Sequence, residues 1–169
     1  GQCATTTKLT VTVESCGYGI FASAAWLKNC DAAGEFYNIT GSGADLINPS
    51  TPEGSFITNL GSYVQNSASL TFGGGEIKTF KSTTGNVCGA TMFYNVHLQS
   101  DPAGTFTPLT LQFLSNCNAG AFNIGGGPCK DRDQKWQTIT SNLVDLTALS
   151  SGNYVLEVYY SLKGDSNSN

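Results

Sequence analysis

The sequence predicts an all-β fold, an antiparallel β-sandwich or jelly-roll-like domain stapled by disulfides. Three observations lead there. Apolar and polar residues alternate over many short stretches. Gly, Asn, Ser and Pro punctuate the gaps between those stretches. Six cysteines stand in a chain of only 12% charged residues, where about 25% is ordinary for a soluble domain.

The elements follow in order. Residues 8–14 place Leu9, Val11 and Val13 on one side and Thr10, Thr12 and Glu14 on the other, the pattern of a half-buried strand. The Ala-rich stretch 20–27 fits a short helical turn or a strand. Residues 35–40 read as a short strand, 41–51 as turn-rich, and 56–57 as the start of another short strand. Strands at 68–72 and 76–81 flank Gly73-Gly74-Gly75, which predicts a bulged hairpin loop with positive φ. Over 90–99, Met92, Tyr94, Val96 and Leu98 point inward, while Phe93, Asn95, His97 and Gln99 point outward. Asp101-Pro102-Ala103-Gly104 makes a turn. Residues 106–114 follow, with Leu109, Leu111 and Phe113 on one face. A loop spans 116–129, and 136–139 is a further strand. Residues 144–149 lead into a tight turn at 150–153. In 154–162, Tyr154, Leu156, Val158, Tyr160 and Leu162 share a face. The 169 residues fit one domain over 1–163, and 164–169 reads as a flexible C-terminal linker, as though the chain were cut from something longer.

Cys3, Cys16, Cys30, Cys88, Cys117 and Cys129 lack the short C-x2-C spacing of a zinc site. An even count in a Gly-rich, charge-poor chain points to an oxidising compartment and three bridges. The favoured pair is Cys117 with Cys129, which would clamp the Gly-rich loop between them. An extracellular or cell-surface location follows.

The charge pattern excludes some partners. The net charge is -4, and the eight Lys and Arg residues are scattered. Nucleic-acid binding needs a cationic patch that releases counterions, and no such run exists. No stretch of about 18 apolar residues marks a membrane span. Gly73-Gly74-Gly75 and Gly125-Gly126-Gly127 lack the GK[ST] ending and the helix of a phosphate loop.

Candidate chemistry is sparse. His97 is the single histidine and has no nucleophile-elbow context around it, so it reads as a surface residue. Glu14, Glu35, Asp45, Glu53, Glu76 and Glu157 are the acids from which a glycosidase would draw its carboxylate pair, against the plain reading of solvated surface acids. Asp131 and Asp133, with Asn116 and Asn118 nearby, gather the hard oxygen donors that a structural calcium takes, against the reading of a charged loop tip. Phe93 and Tyr159 both alternate outward, near Asn95, His97, Gln99 and Glu157. Aromatic rings flanked by amide and carboxylate groups suit a sugar, whose CH groups stack on a π face while its hydroxyls find polar partners.

Four segments carry a family likeness: Gly74-Gly75-Glu76-Ile77-Lys78-Thr79-Phe80-Lys81, Ala90-Thr91-Met92-Phe93-Tyr94, Lys135-Trp136-Gln137, and Leu149-Ser150-Ser151-Gly152-Asn153-Tyr154 with the strand after it. Together, over about 35–162, they resemble a β-sandwich module of large secreted and cell-surface proteins of Bacteroidetes-type bacteria, cargo of the type IX secretion route. The resemblance implies a multi-domain parent and carries over no catalytic residue. The six cysteines are not part of that pattern.

The functional expectation is an extracellular, non-catalytic binding or adhesion module, with carbohydrate as ligand and no cofactor beyond a structural calcium. Polysaccharide or a surface protein is the expected partner. The alternatives are a structural or assembly domain of a surface protein or filament, and a carboxylate-based hydrolase.

Overall fold

The computed structural model describes residues 17–30, 33–38, 60–81, 85–116 and 133–165. Seven strands are present: β1 (Tyr18–Asn29), β2 (Glu35–Asn38), β3 (Leu70–Lys81), β4 (Asn86–Leu98), β5 (Thr107–Asn116), β6 (Gln134–Asp145) and β7 (Tyr154–Asp165). A single 3-10 turn at Leu146–Ala148 is the only helical element among the described residues. All neighbouring strands are antiparallel, in the order β2-β1-β3-β6-β5-β4-β7. Within that order, β3 lies beside β6 and the hairpin-connected run β6-β5-β4 follows, which is a Greek-key arrangement.

The fold is therefore all-β, as the alternation predicts. The seven strands join in one continuous sheet, and that sheet is curled. In a flat sheet, β1 and β7 would stand five strand spacings apart, about 24 Å. Instead the Tyr160 hydroxyl on β7 donates to the Ala24 carbonyl on β1 at 2.6 Å. The curl brings β1 and β3 face to face with β4 and β7. Phe72 on β3 packs on Tyr94 of β4, their ring centroids 5.1 Å apart.

The space between these limbs is the core. Phe72, Leu27, Ile77, Met92 and Leu111 are the largest fully buried apolar side chains there, with the larger Trp26 and Trp136 rings buried at its border. Burying each of the former contributes roughly 1.5–3 kcal/mol. The periodicity placed Met92 and Leu111 inward, and both are buried. Leu98 and Phe113, read as inward, are 37% and 48% exposed. Leu98 ends its strand. Phe113 stands opposite Trp136 on β6, just before a register shift, and meets that ring edge-on.

The Ala-rich stretch is strand β1 rather than a helical turn. Its Ala22, Ala24 and Ala25 are buried, and their small side chains let β7 approach close enough for the Tyr160 bond.

The predicted hairpin at Gly73-Gly74-Gly75 does not form. Residues 70–81 make one unbroken strand, buried at every position from Leu70 to Thr79. Each half of β3 pairs with β1 on one side and β6 on the other, so neither half needs its sibling. The glycines serve close approach instead. A Cβ at Gly73 would strike the Trp26 ring, and one at Gly75 would lie 2.7 Å from the Ala24 carbonyl and 2.9 Å from Met92 Sδ. Gly73 is also the bulge residue, since Trp26 faces Gly74 while Leu27 faces Phe72. Gly74 adopts φ +130, a conformation that side chains disfavour.

β7 continues through Asp165, so the first two residues of the expected linker belong to the sheet, opposite Val87 and Asn86. The expected strands at 8–14 and 56–57 and the cystine-bounded loop lie outside the described residues.

The cysteine expectation needs correction where it can be followed. Cys30 and Cys88 are exposed free thiols. Cys30 follows the β1 residue that faces Leu70, at one end of β3. Cys88 lies two residues past Asn86, whose side chain is bonded to Lys81 at the other end of β3. A strand of that length puts them on the order of 30 Å apart, whereas a disulfide needs Cα atoms within about 7 Å. Cys3, Cys16, Cys117 and Cys129 lie outside the described residues.

Candidate functional site

Two groupings of chemistry-bearing side chains stand out, one on the outer surface and one buried.

The outer grouping is built by the β4–β7 register. Directly paired residues of an antiparallel sheet share a face. Phe93 faces Tyr159, Asn95 faces Glu157, and Thr91 faces Ser161. The alternation that sends Met92 and Tyr160 inward sends this set outward. Phe93 and Tyr159 stack nearly parallel, with centroids 4.7 Å apart and planes 7° apart. Phe106, just before β5, closes on Tyr159 edge-first at 5.0 Å. Tyr159 is 47% exposed and presents the free part of this cluster. The rings thus form a three-membered cluster in which Phe93 spends one face on Tyr159, rather than two separate open platforms.

The polar neighbours divide. His97 Nε2 lies 3.3 Å from Glu157 Oε1, and Nδ1 lies 2.9 Å from the Leu98 carbonyl. Both ring nitrogens face acceptors, which favours the doubly protonated imidazolium. The Leu98 carbonyl, then Glu157, accordingly hold the His97 pKa above its ordinary value, against some desolvation. Asn95 is committed elsewhere: its Nδ2 donates to the Thr105 carbonyl at 2.8 Å, tying down the chain before β5. Gln99 lies beyond β4, where its backbone N–H bonds the Asn153 carbonyl at 2.9 Å and closes the β4–β7 end. Of the six residues read as ligand-binding, Phe93, His97, Glu157 and Tyr159 come together with outward-facing groups, Asn95 turns to the loop, and Gln99 sits at the margin. Phe106 was not singled out in the sequence, although the alternation read over 106–114 puts it on the face opposite Leu109, Leu111 and Phe113; in the structure it lies just before β5.

The buried grouping lies across β3 and β6. Glu76 faces Gln137, and Lys78 faces Lys135. Glu76 and Lys78 are each 1% exposed, and Lys135 is 7% exposed. Lys135 Nζ stands 2.9 Å from Glu76 Oε2. Gln137 Nε2 donates to the same oxygen. Glu76 Oε1 is buried without a hydrogen-bond partner. Burial pushes the Glu76 carboxyl above the ordinary carboxylate range, and the bonds and charge of Lys135, with Gln137 and Lys78, pull the other way. The plain reading of Glu76 as a solvated surface acid is therefore overturned. Its depth comes from β3 being a central strand covered on both faces.

The other candidates do not assemble. Glu76 is buried in β3, whereas Glu157 faces outward on β7, so these two acids make no glycosidase pair. Glu35 lies exposed on the short strand β2. Glu14, Asp45 and Glu53 lie outside the described residues, as does Asp131 of the calcium expectation. Asp133 is buried just before β6 rather than held on a loop tip. Among the described residues no three His, Cys, Asp or Glu side chains group as metal ligands, and no helix is long and apolar enough to cross a membrane.

No protein-family model, curated protein or solved structure matches this chain.

Proposed function

We propose that the chain is a carbohydrate-binding module of an exported surface protein, and that the outer face of β4 and β7 takes the sugar. The observation that carries this reading is the half-exposed Tyr159 ring, held rigid by Phe93 and Phe106 beside the His97–Glu157 pair. A ring already immobilised loses little entropy when a sugar stacks on it. Glu157 offers carboxylate oxygens to hydroxyls at the ring's border, and Thr91 and Ser161 extend the polar edge. The low charge and six cysteines support an extracellular location. The sandwich description, the Cys117–Cys129 clamp and kinship with Bacteroidetes-type secreted modules belong to the same proposal.

A glycan array followed by calorimetry tests it. Binding of a polysaccharide that is lost in a folded Tyr159→Ala variant is the expected result. No hit on the array, or unchanged affinity in that variant, overturns the reading. An assembly role is the second reading, favoured by the position of the long strand β7 at one end of the described strand order, where a further strand can add. Self-association at rising concentration in ultracentrifugation is its signature.

A further inference from the structure

Tyr159 has one ring face to offer, and polar side chains line up along β7 on both sides of it. We infer that β7 carries a track for a linear polysaccharide, held by units inside the chain rather than by a chain end. This rests on the sugar-binding reading above and adds which kind of sugar fits.

The direction of the ring comes first. Phe93 on β4 covers one face of Tyr159, with planes 7° apart. The open face therefore looks away from β4, over the far side of β7. Phe106 approaches from the β5 side, across β4, so it does not stand on that face. β7 ends the described strand order, so among the described residues no strand rises there.

The row of neighbours comes second. Alternation sends Glu157, Tyr159, Ser161 and Lys163 outward along β7, and all four are exposed. At about 3.4 Å per residue, Glu157 and Lys163 stand roughly 20 Å apart. A single sugar on Tyr159 falls far short of reaching both. A chain of several units meets a carboxylate that accepts, a hydroxyl that does either, and an ammonium that donates.

The two ends come third. Gly89 stands opposite Lys163 and bears no side chain; a Cβ there would meet only Lys163 Cβ, at 3.8 Å. At the other end, Asn95 turns its amide to the Thr105 carbonyl, and His97 lies back against Glu157. Among the described residues, then, no side chain of this face closes around a terminal sugar, as a pocket for a chain end requires.

Native gels cast with hydroxyethylcellulose, xylan, galactomannan, dextran or pullulan test the full chain. At least one is expected to retard it. Calorimetry with fragments of that polysaccharide, from the monosaccharide to the hexasaccharide, then reads the length dependence. Affinity is expected to climb roughly two- to tenfold with each added unit that gains a hydrogen bond. Lys163→Ala is expected to weaken the hexasaccharide several-fold and to leave the disaccharide unchanged. No retardation in any gel overturns both this inference and the sugar-binding reading. Retardation cancelled by the free monosaccharide, or affinity already full at the disaccharide, overturns the track alone and leaves Tyr159 as a site for a single sugar. Unchanged hexasaccharide affinity in Lys163→Ala overturns the track as well.

Discussion

Phe93 and Tyr159 stand opposite each other on β4 and β7 with rings stacked 7° from parallel and 4.7 Å apart. Such a cross-strand pair contributes beyond the area it buries, by roughly 0.5–1.5 kcal/mol. A double-mutant cycle with Phe93→Ala and Tyr159→Ala, read by denaturant unfolding, is expected to return a favourable coupling in that range. Additive effects within error would show that the two rings do not support each other.

His97 is the only histidine, so its titration can be followed without assignment ambiguity. The Leu98 carbonyl and Glu157 favour its protonated form, so its midpoint is expected above the ordinary value of about 6.5. The sign follows from the raised folded-state pKa. The favourable contribution is fully present below the unfolded value and is lost as pH rises through the folded one. Proton NMR of the imidazole is expected to show the raised midpoint, and Glu157→Gln to move it down. A midpoint that ignores Glu157→Gln would show that the 3.3 Å contact carries no interaction.

Gly75 and Gly89 separate the two meanings of a strand glycine. At Gly75 an added methyl meets the Ala24 carbonyl and Met92 Sδ, as well as the Tyr160 hydroxyl. Gly75→Ala is expected to destabilise by roughly 1–3 kcal/mol or more, the cost of overpacking. At Gly89 the nearest atom is Lys163 Cβ at 3.8 Å, an ordinary contact. Gly89→Ala is expected to be neutral, or stabilising by up to about 1 kcal/mol through the unfolded state. Thermal and denaturant melts of the two variants compare them directly, and equal losses would refute the close packing at Gly75.

Cys30 and Cys88 are exposed thiols at opposite ends of β3. Both are expected to take up a maleimide in the folded, unreduced protein, with peptide mapping locating the label. Protection of either until a reductant is added would mean that it is bridged, as the even cysteine count first suggested.

The residue pattern by itself determined the class of the fold and much of its outer face. Period-two alternation is a local property, so β4 and β7 were legible, and with them the outward set Phe93, His97, Glu157 and Tyr159. Neighbouring turn glycines were legible too, but their meaning was not. Three glycines between two apolar runs fit either a hairpin or a strand crossed closely by rings, and only the placement of Trp26 and Tyr160 selects the second. Tertiary structure also decided the depth of Glu76. A carboxylate beside Lys78 in an alternating stretch reads as solvated, and burial depends on what covers both faces of β3, a relation between segments distant in sequence. The curl belongs to the same category: the Tyr160 to Ala24 bond joins residues 136 apart in the chain. Alternation specifies which side of a strand is apolar, whereas which strands face each other is decided by packing across the whole sheet.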